Sequence, residues 1–298
     1  MNGQEIILTN IQRFCVDDGP GNRTTVFFKG CNLRCAWCQN PETQNLHREI
    51  LFFQDKCVNC GDCKVCPQGC NVFHDHKHYF YGSNCSYCGV CVNICGNRAF
   101  EIPYKKYSPQ ELLQVVLKDE VFFGESGGVT CSGGECMLQF DGLLAFVKLC
   151  KGHNVSVAID TAGCVERERF ERILPYVDYF LYDVKIMDDE KHKALTGLSN
   201  QKILENLSWL LRVCPQRIMI RIPLIKNIND TDEEVEKMID FFNRNGYPKE
   251  VKLLLYHNMG KEKYEALGKQ IEIFEPPDKT RVSQIERKFL DEGMFAYL

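Results

Sequence analysis

Apolar positions along this chain alternate between two periods, and that alternation predicts the fold. Residues 6–14 mix apolar and polar positions as a first strand, and 24–28 (Thr-Thr-Val-Phe-Phe) form a β-branched second one. Further on, Ser108-Pro109-Gln110-Glu111 is a capping box with Pro at the first helical position, opening a helix to about Asp119. A short strand 128–131, a helix 139–151 and a strand 155–159 come next. They are followed by a helix 166–174, a strand 177–183, a polar helical pair 188–213 and a strand 217–222. Thr231-Asp-Glu-Glu234 caps a helix to about Asn245, then come a strand 250–256, a last helix 282–292 and a terminal apolar stretch. Strand-then-helix units of this length imply an α/β protein with a parallel sheet. About six units fit, fewer than a closed eight-stranded barrel, which predicts an open, partial (β/α)6 TIM-like barrel with a lateral cleft.

One region breaks the pattern. Residues 51–104 lack helical periodicity and are dense in cysteine, so the chain divides into a barrel (1–50 and 105–298) and an insert (51–104) beside the first helix. Hydrophobic and charged contents of 44% and 26% are ordinary for a globular protein. The formal net charge of −4, with no basic tail or block, gives nucleic-acid binding no support. No apolar run reaches spanning length, and the N-terminus lacks the charged-then-apolar pattern of a signal peptide, so the expectation is a cytoplasmic, membrane-free monomer.

Eighteen cysteines are the anomaly. In a chain without secretory features that count points to metal or redox chemistry rather than to disulfides. Six (Cys15, Cys131, Cys136, Cys150, Cys164, Cys214) are scattered and read as small core residues. The other twelve are spaced as ligands. Cys31-x3-Cys35-x2-Cys38 directly follows the second strand, where parallel barrels carry their active-site loops. Three thiolates on one loop hold three irons of a [4Fe–4S] cube and leave the fourth open to a small molecule. An open metal position marks a catalytic site. The competing reading, a zinc knuckle, needs a fourth ligand that the loop does not supply.

In the insert, Cys57-x2-Cys60-x2-Cys63-x2-Cys66-Pro67 and Cys85-x2-Cys88-x2-Cys91-x3-Cys95 repeat one run. This is similar to two-cluster bacterial ferredoxins, in which the fourth Cys of each run serves the other cluster. That likeness pairs Cys57, Cys60 and Cys63 with Cys95, and Cys85, Cys88 and Cys91 with Cys66; Cys70 is a second choice for the last ligand. A pair of zinc ribbons is the competing reading here. The tract His74-Asp75-His76-Lys77-His78 reads as a solvated turn.

Polar residues just past each strand face one mouth of a parallel barrel. Here they are the loop cysteines, then Gly133-Gly134-Glu135, Asp160, Asp183 with Lys185, Arg221 and His257. Glycines allow close backbone approach to a ligand, and the charged groups suit ammonium, carboxylate and ribose, or a metal cation.

With Asp18-Gly19-Pro20-Gly21-x-Arg23 ahead of the cysteine loop, Asn40-Pro41-Glu42-Thr43 behind it, Asp183-x-Lys185, and the spaced Asp188, His192, Thr196 and Gly197, the chain resembles the activating enzymes of glycyl-radical enzymes. These belong to the radical S-adenosylmethionine (SAM) superfamily. The resemblance runs over essentially the whole chain, and the insert is similar to that of the larger members; activases of pyruvate formate-lyase typically lack it.

The resemblance implies an anaerobic oxidoreductase with three [4Fe–4S] clusters, one binding SAM and two in the insert. Flavodoxin or ferredoxin would supply an electron, SAM would be cleaved, and the resulting radical would take a hydrogen from a glycine of a partner glycyl-radical enzyme. It places Gly133, Gly134 and Glu135 beside the SAM amino group and methionine moiety, and Trp37 among the residues that bind it. Asp160 and Asp183 would hold a monovalent cation at the SAM carboxylate. Lys185, Arg221 and His257 would surround SAM and the incoming glycine loop, and Asp18 would lie near that peptide. Three positions depart from the family pattern: Cys136 follows Gly-Gly-Glu where Pro is frequent, making an extra thiolate near the site, Leu255 replaces a Pro before Tyr256-His257, and Asn22 replaces an apolar residue. A radical SAM enzyme acting on a small molecule or peptide side chain, and an electron-relay protein, are the alternative functions.

Overall fold

The computed structural model describes residues 4–298; Met1–Gly3, part of the N-terminus read above for a targeting signal, lie outside it. The chain enters through strand β1 (Ile6–Cys15) and strand β2 (Arg23–Phe28). Residues 51–104 then contribute β3 (Leu51–Phe52), a hairpin of β4 (Asn71–His74) and β5 (Lys77–Phe80), the short helix α1 (Val90–Ile94) and β6 (Phe100–Glu101). After β7 (Lys105–Tyr107) and α2 (Pro109–Val116), strands and helices alternate: β8 (Gly128–Gly133), α3 (Phe140–Gly152), β9 (Ser156–Thr161), α4 (Arg167–Ile173) and β10 (Tyr179–Asp183). Then come α5 (Asp189–Thr196), α6 (Gln201–Val213), β11 (Ile218–Leu224), α7 (Asp232–Asn245), β12 (Glu250–Leu255), α8 (Lys261–Ala266), α9 (Lys279–Asp291) and β13 (Ala296–Tyr297).

One nine-stranded sheet, in the order β13-β12-β11-β10-β9-β8-β2-β1-β7, carries the fold. From β2 through β8, β9, β10, β11 and β12 to the two-residue β13 every pairing is parallel, seven strands in all. The sheet is open, since β7 and β13 at its two ends do not pair with each other. β1 is not part of the parallel series. It runs antiparallel to β2, because the tight 16–22 turn reverses the chain there. Gly21 makes that turn: it sits at φ +73°, and a Cβ on it would stand 2.4 Å from the Gly127 nitrogen.

Helix signals read from sequence are realised at their caps. Ser108 accepts from the Glu111 amide while the Glu111 carboxylate accepts from Ser108 N at 2.7 Å, a complete capping box. Thr231 caps α7 in the same way, but Glu234 is diverted: fully buried, it accepts from Met187 N (2.7 Å) and Asp188 N (3.2 Å) and so anchors the loop after β10. Most of the buried apolar side chains, among them Phe28, Phe146, Phe170, Phe180 and Phe242, form one core packed between sheet and helices.

Arg23 ties the 16–22 turn to this core. Its side chain is fully buried, and burial pushes its pKa down to about 10. Nε donates to Thr130 Oγ1 (2.7 Å), and the terminal nitrogens donate to the carbonyls of Pro20, Ser126, Val129 and Ser156. Thr130 Oγ1 in turn donates to Asp18 O at 2.7 Å, which fixes Asp18 over the strand ends.

The cysteine-dense stretch 51–104 is closed at its base by the antiparallel pair β3–β6. A separate apolar cluster around Ile50, Cys63, Cys91 and Phe100 packs within and beside it. Among the described residues, no helix is long and apolar enough to cross a membrane.

Candidate active site

The C-terminal ends of β2, β8, β9, β10, β11 and β12 surround a cavity of about 760 Å³. Cys31, Cys35 and Cys38 all line it, with Trp37 between them in sequence. From the opposite strands come Asp160, Asp183, Lys185 and Arg221, with the exposed His257 at the lip.

The cysteine loop is held by its backbone. Arg34 N donates to Thr196 O (2.7 Å) and Ala36 N to Leu195 O (2.9 Å), so the last carbonyls of α5 shape it. This accounts for the spaced motif that follows Lys185. Asp188 is the N-cap of α5, Gly197 closes it at φ +85°, and buried His192 stands 2.6 Å from Leu198 O, fixing the turn beyond the helix. Burial pushes the Cys31 thiol up to about 12 and the Cys35 thiol up to about 11. The three half-buried thiols line one cavity, and a metal bound there would deprotonate them outright.

The cavity wall carries four carboxylates, Asp17, Asp18, Asp160 and Asp183, against the two cations Lys185 and Arg221. Lys185 Nζ bonds Asp183 Oδ2 at 2.6 Å, and Asp183 with Cys35 and Asp160 outweighs burial in raising the lysine's pKa. Arg221 Nη1 stands 3.3 Å from Asp160 Oδ2 and 3.9 Å from Asp18 Oδ1, and its Nε stands 3.9 Å from Asp183 Oδ1. Its Nε and Nη1 are buried without a hydrogen-bond partner, so they have donors to spare for a carboxylate. Burial, opposed by Arg221, pushes Asp160 up to about 6, and Ser132 Oγ donates to its Oδ2 at 2.6 Å. Sequence reading missed Ser132; it stands one residue before the Gly-Gly turn, and the strand-end argument reaches it.

Gly133 and Gly134 line the cavity, but packing explains why they are glycines. A Cβ on Gly134 would stand 2.2 Å from Gly30 O, and one on Gly133 2.4 Å from Phe28 N. The amides of Gly134 and Glu135 donate to Phe28 O and Gly30 O, which ties this turn to the start of the cysteine loop.

Glu135 turns away from the cavity. Its carboxylate is buried, accepts from Thr161 Oγ1, Ala162 N and Met137 N, and is pushed up to about 7 by burial. It locks two strand ends together behind the wall. Cys136 is no extra thiolate at the site. It is fully buried, burial holds its thiol well above the ordinary range, and its Sγ–H points at Asp160 O.

In the insert, Cys57, Cys60, Cys63 and Cys95 line one small cavity. Cys70 lies against both Cys66 and Cys85; burial and those two sulfurs push its thiol up to about 11. Burial raises Cys91, with Cys85 and Cys66 acting on it as well, while Cys88 is exposed. No three His, Cys, Asp or Glu side chains among the described residues converge on a single-ion site.

The histidine tract is a solvated turn only in part. Asp75 and His76 make the exposed hairpin turn, but His78 is 1% exposed. Its Nδ1 is 3.3 Å from Cys57 Sγ, and its ring stacks on Phe73. Strand alternation after the turn puts it inside.

The radical SAM superfamily pattern matches residues 82–242 of the chain. The trans-4-hydroxy-L-proline dehydratase activating enzyme of Clostridioides difficile is 40% identical over 95% of each chain. The 4-hydroxyphenylacetate decarboxylase activating enzyme of the same organism is 37% identical over 99% of this chain and 96% of its own. The chain belongs to the radical SAM superfamily, among the activating enzymes of glycyl-radical enzymes. A radical SAM methyltransferase from Sphaerobacter thermophilus, 13% identical, shares the fold over 92% of this chain and 65% of its own with a TM-score of 0.55. The central, mostly parallel sheet of this activase is thus the radical SAM sheet.

Proposed function

We propose that this activase binds SAM at a [4Fe–4S] cluster held by Cys31, Cys35 and Cys38, and makes a glycyl radical on a partner glycyl-radical enzyme. The observation that carries the reading is the convergence of the three loop thiols and the Asp160–Asp183–Lys185–Arg221 group on one cavity. When bound, the cluster supplies the electron that splits SAM into methionine and a 5′-deoxyadenosyl radical. The unpartnered Arg221 donors and Lys185, paired with Asp183, would meet the SAM carboxylate. Carboxylates outnumber cations on this wall, which suits a monovalent cation between Asp160 and Asp183. Gly133 and Gly134 would offer backbone to the methionine part, with Trp37 on the same cavity wall, and His257 at the lip would meet an incoming glycine loop.

We read the open sheet as a partial six-unit barrel and residues 51–104 as a ferredoxin-like unit. Cys57, Cys60, Cys63 and Cys95 would hold one cluster; Cys85, Cys88, Cys91 and Cys66 or Cys70 would hold the other, fed by flavodoxin or ferredoxin. The two relatives work with a dehydratase and a decarboxylase at near-equal identity, so similarity at this level fixes the family and not the partner. Anaerobic reconstitution tests the reading. It should yield three clusters, roughly twelve irons per chain, and the dithionite-reduced protein should release 5′-deoxyadenosine from SAM. Zinc in place of iron, or no nucleoside released, would contradict it.

A further inference from the structure

The chain leaving Cys38 is gripped by α8, a six-residue helix outside the repeating strand–helix series. Lys263 Nζ donates to Asn40 Oδ1 at 2.8 Å and to Glu42 Oε1 at 2.6 Å. Glu42 is 7% exposed, its Oε2 has no hydrogen-bond partner, and its carboxylate pairs with Lys263. The nearby Lys29 reaches only the Glu42 carbonyl and spends its charge on Glu49. One turn earlier, Gly260 N donates to Gln39 Oε1 at 2.9 Å, and a Cβ on Gly260 would lie 3.1 Å from both Cys38 O and Gln39 Cα. The start of the helix therefore packs directly on the Cys38 backbone. Tyr264 is buried beside the site; burial, with the Cys38 and Cys35 sulfurs, pushes its phenol up. At the other end Ala266 and Leu267 pack on Leu51 and Phe53 of the insert, and Lys269 reaches Glu49 at 3.3 Å.

We propose that Lys263 is a positioning residue of the radical site. By clamping Asn40 and Glu42 it fixes the turn that sets Cys38, and so the placement of the open iron against SAM. This rests on the assignment of the SAM-binding cluster to Cys31, Cys35 and Cys38. An ordinary surface ion pair contributes little to stability and nothing to a cluster's spectrum. A clamp on a ligand loop acts on both, because small misplacements of reacting groups are costly.

The test uses reconstituted full-length Lys263→Met, Lys263→Arg and Glu42→Gln beside the wild type. Its readouts are iron per chain, melting temperature, the EPR spectrum of the reduced protein with and without SAM, and 5′-deoxyadenosine release. Lys263→Met is expected to keep the insert's iron, to blunt the SAM-induced change in the spectrum, and to slow nucleoside release by about ten-fold or more. Glu42→Gln should reproduce this without altering the lysine, and Lys263→Arg should restore most of both signals. A Lys263→Met protein with the wild-type spectral response and rate would overturn the proposal, whatever its melting temperature. Loss of iron from the whole chain in both Lys263→Met and Glu42→Gln would also overturn it, as a general folding role. A wild type that releases no nucleoside would instead sink the underlying cluster assignment.

Discussion

Cys35→Ala is expected to lower SAM cleavage below detection while the insert keeps its iron, roughly eight of twelve atoms per chain. Cys35 is the middle cysteine of the loop, packed against the apolar cluster around Trp37 and beside Lys185. Among the described residues no other thiol is poised to replace it. Cys136 is fully buried with its Sγ turned to the Asp160 carbonyl, and Cys15, which also lines the cavity, stands by Asp18 and Thr25. The check is iron content with nucleoside release on one sample. Full cleavage by the variant would refute the three-cysteine assignment, and loss of all iron would show that the insert depends on this loop.

Arg23→Met is expected to be the most damaging substitution away from the cysteines. It strands the acceptors of Pro20, Ser126, Val129, Ser156 and Thr130 in a dry core. Each buried neutral acceptor left without its donor costs about 1–3 kcal/mol, so together they correspond to a drop in melting temperature on the order of 10 °C. Arg23→Lys should fare little better, because one ammonium cannot reach five acceptors arranged for a planar fork. Where the variant still folds, freeing Thr130 releases Asp18, so SAM cleavage without a partner should fall less than radical transfer to the partner. Melting curves and the two rates measured side by side decide this. An unchanged melting temperature would contradict the role given to Arg23.

Much of this was legible because it is local chemistry. Cap residues such as Ser108 and Thr231 act within one turn of their helices, and alternating apolar runs specify strands whatever their partners. Strand-end residues converge because parallel strands share a direction, which is how Asp160, Asp183, Lys185 and Arg221 reach the cysteines. What was hidden depends on distant partners. The pattern in 6–14 fits a strand of either direction, and only its pairing shows β1 to be antiparallel. Glu135 belongs to a motif that faces the site, yet three donors from Thr161, Ala162 and Met137 draw its carboxylate inward. His78 lies in a polar tract and is buried only because the hairpin folds it onto Cys57. Helix α8 is too short to show a periodicity, and its role appears only in its contacts with Asn40 and Glu42.

The most direct measurement follows one hydrogen atom. A glycyl-radical enzyme labelled with deuterium at its glycines would be incubated anaerobically with the reduced activase and SAM, and the 5′-deoxyadenosine weighed. One deuterium per nucleoside, together with a glycyl-radical EPR doublet on the matched partner, is the expected result. Nucleoside released with no deuterium in the presence of every candidate partner would contradict the account.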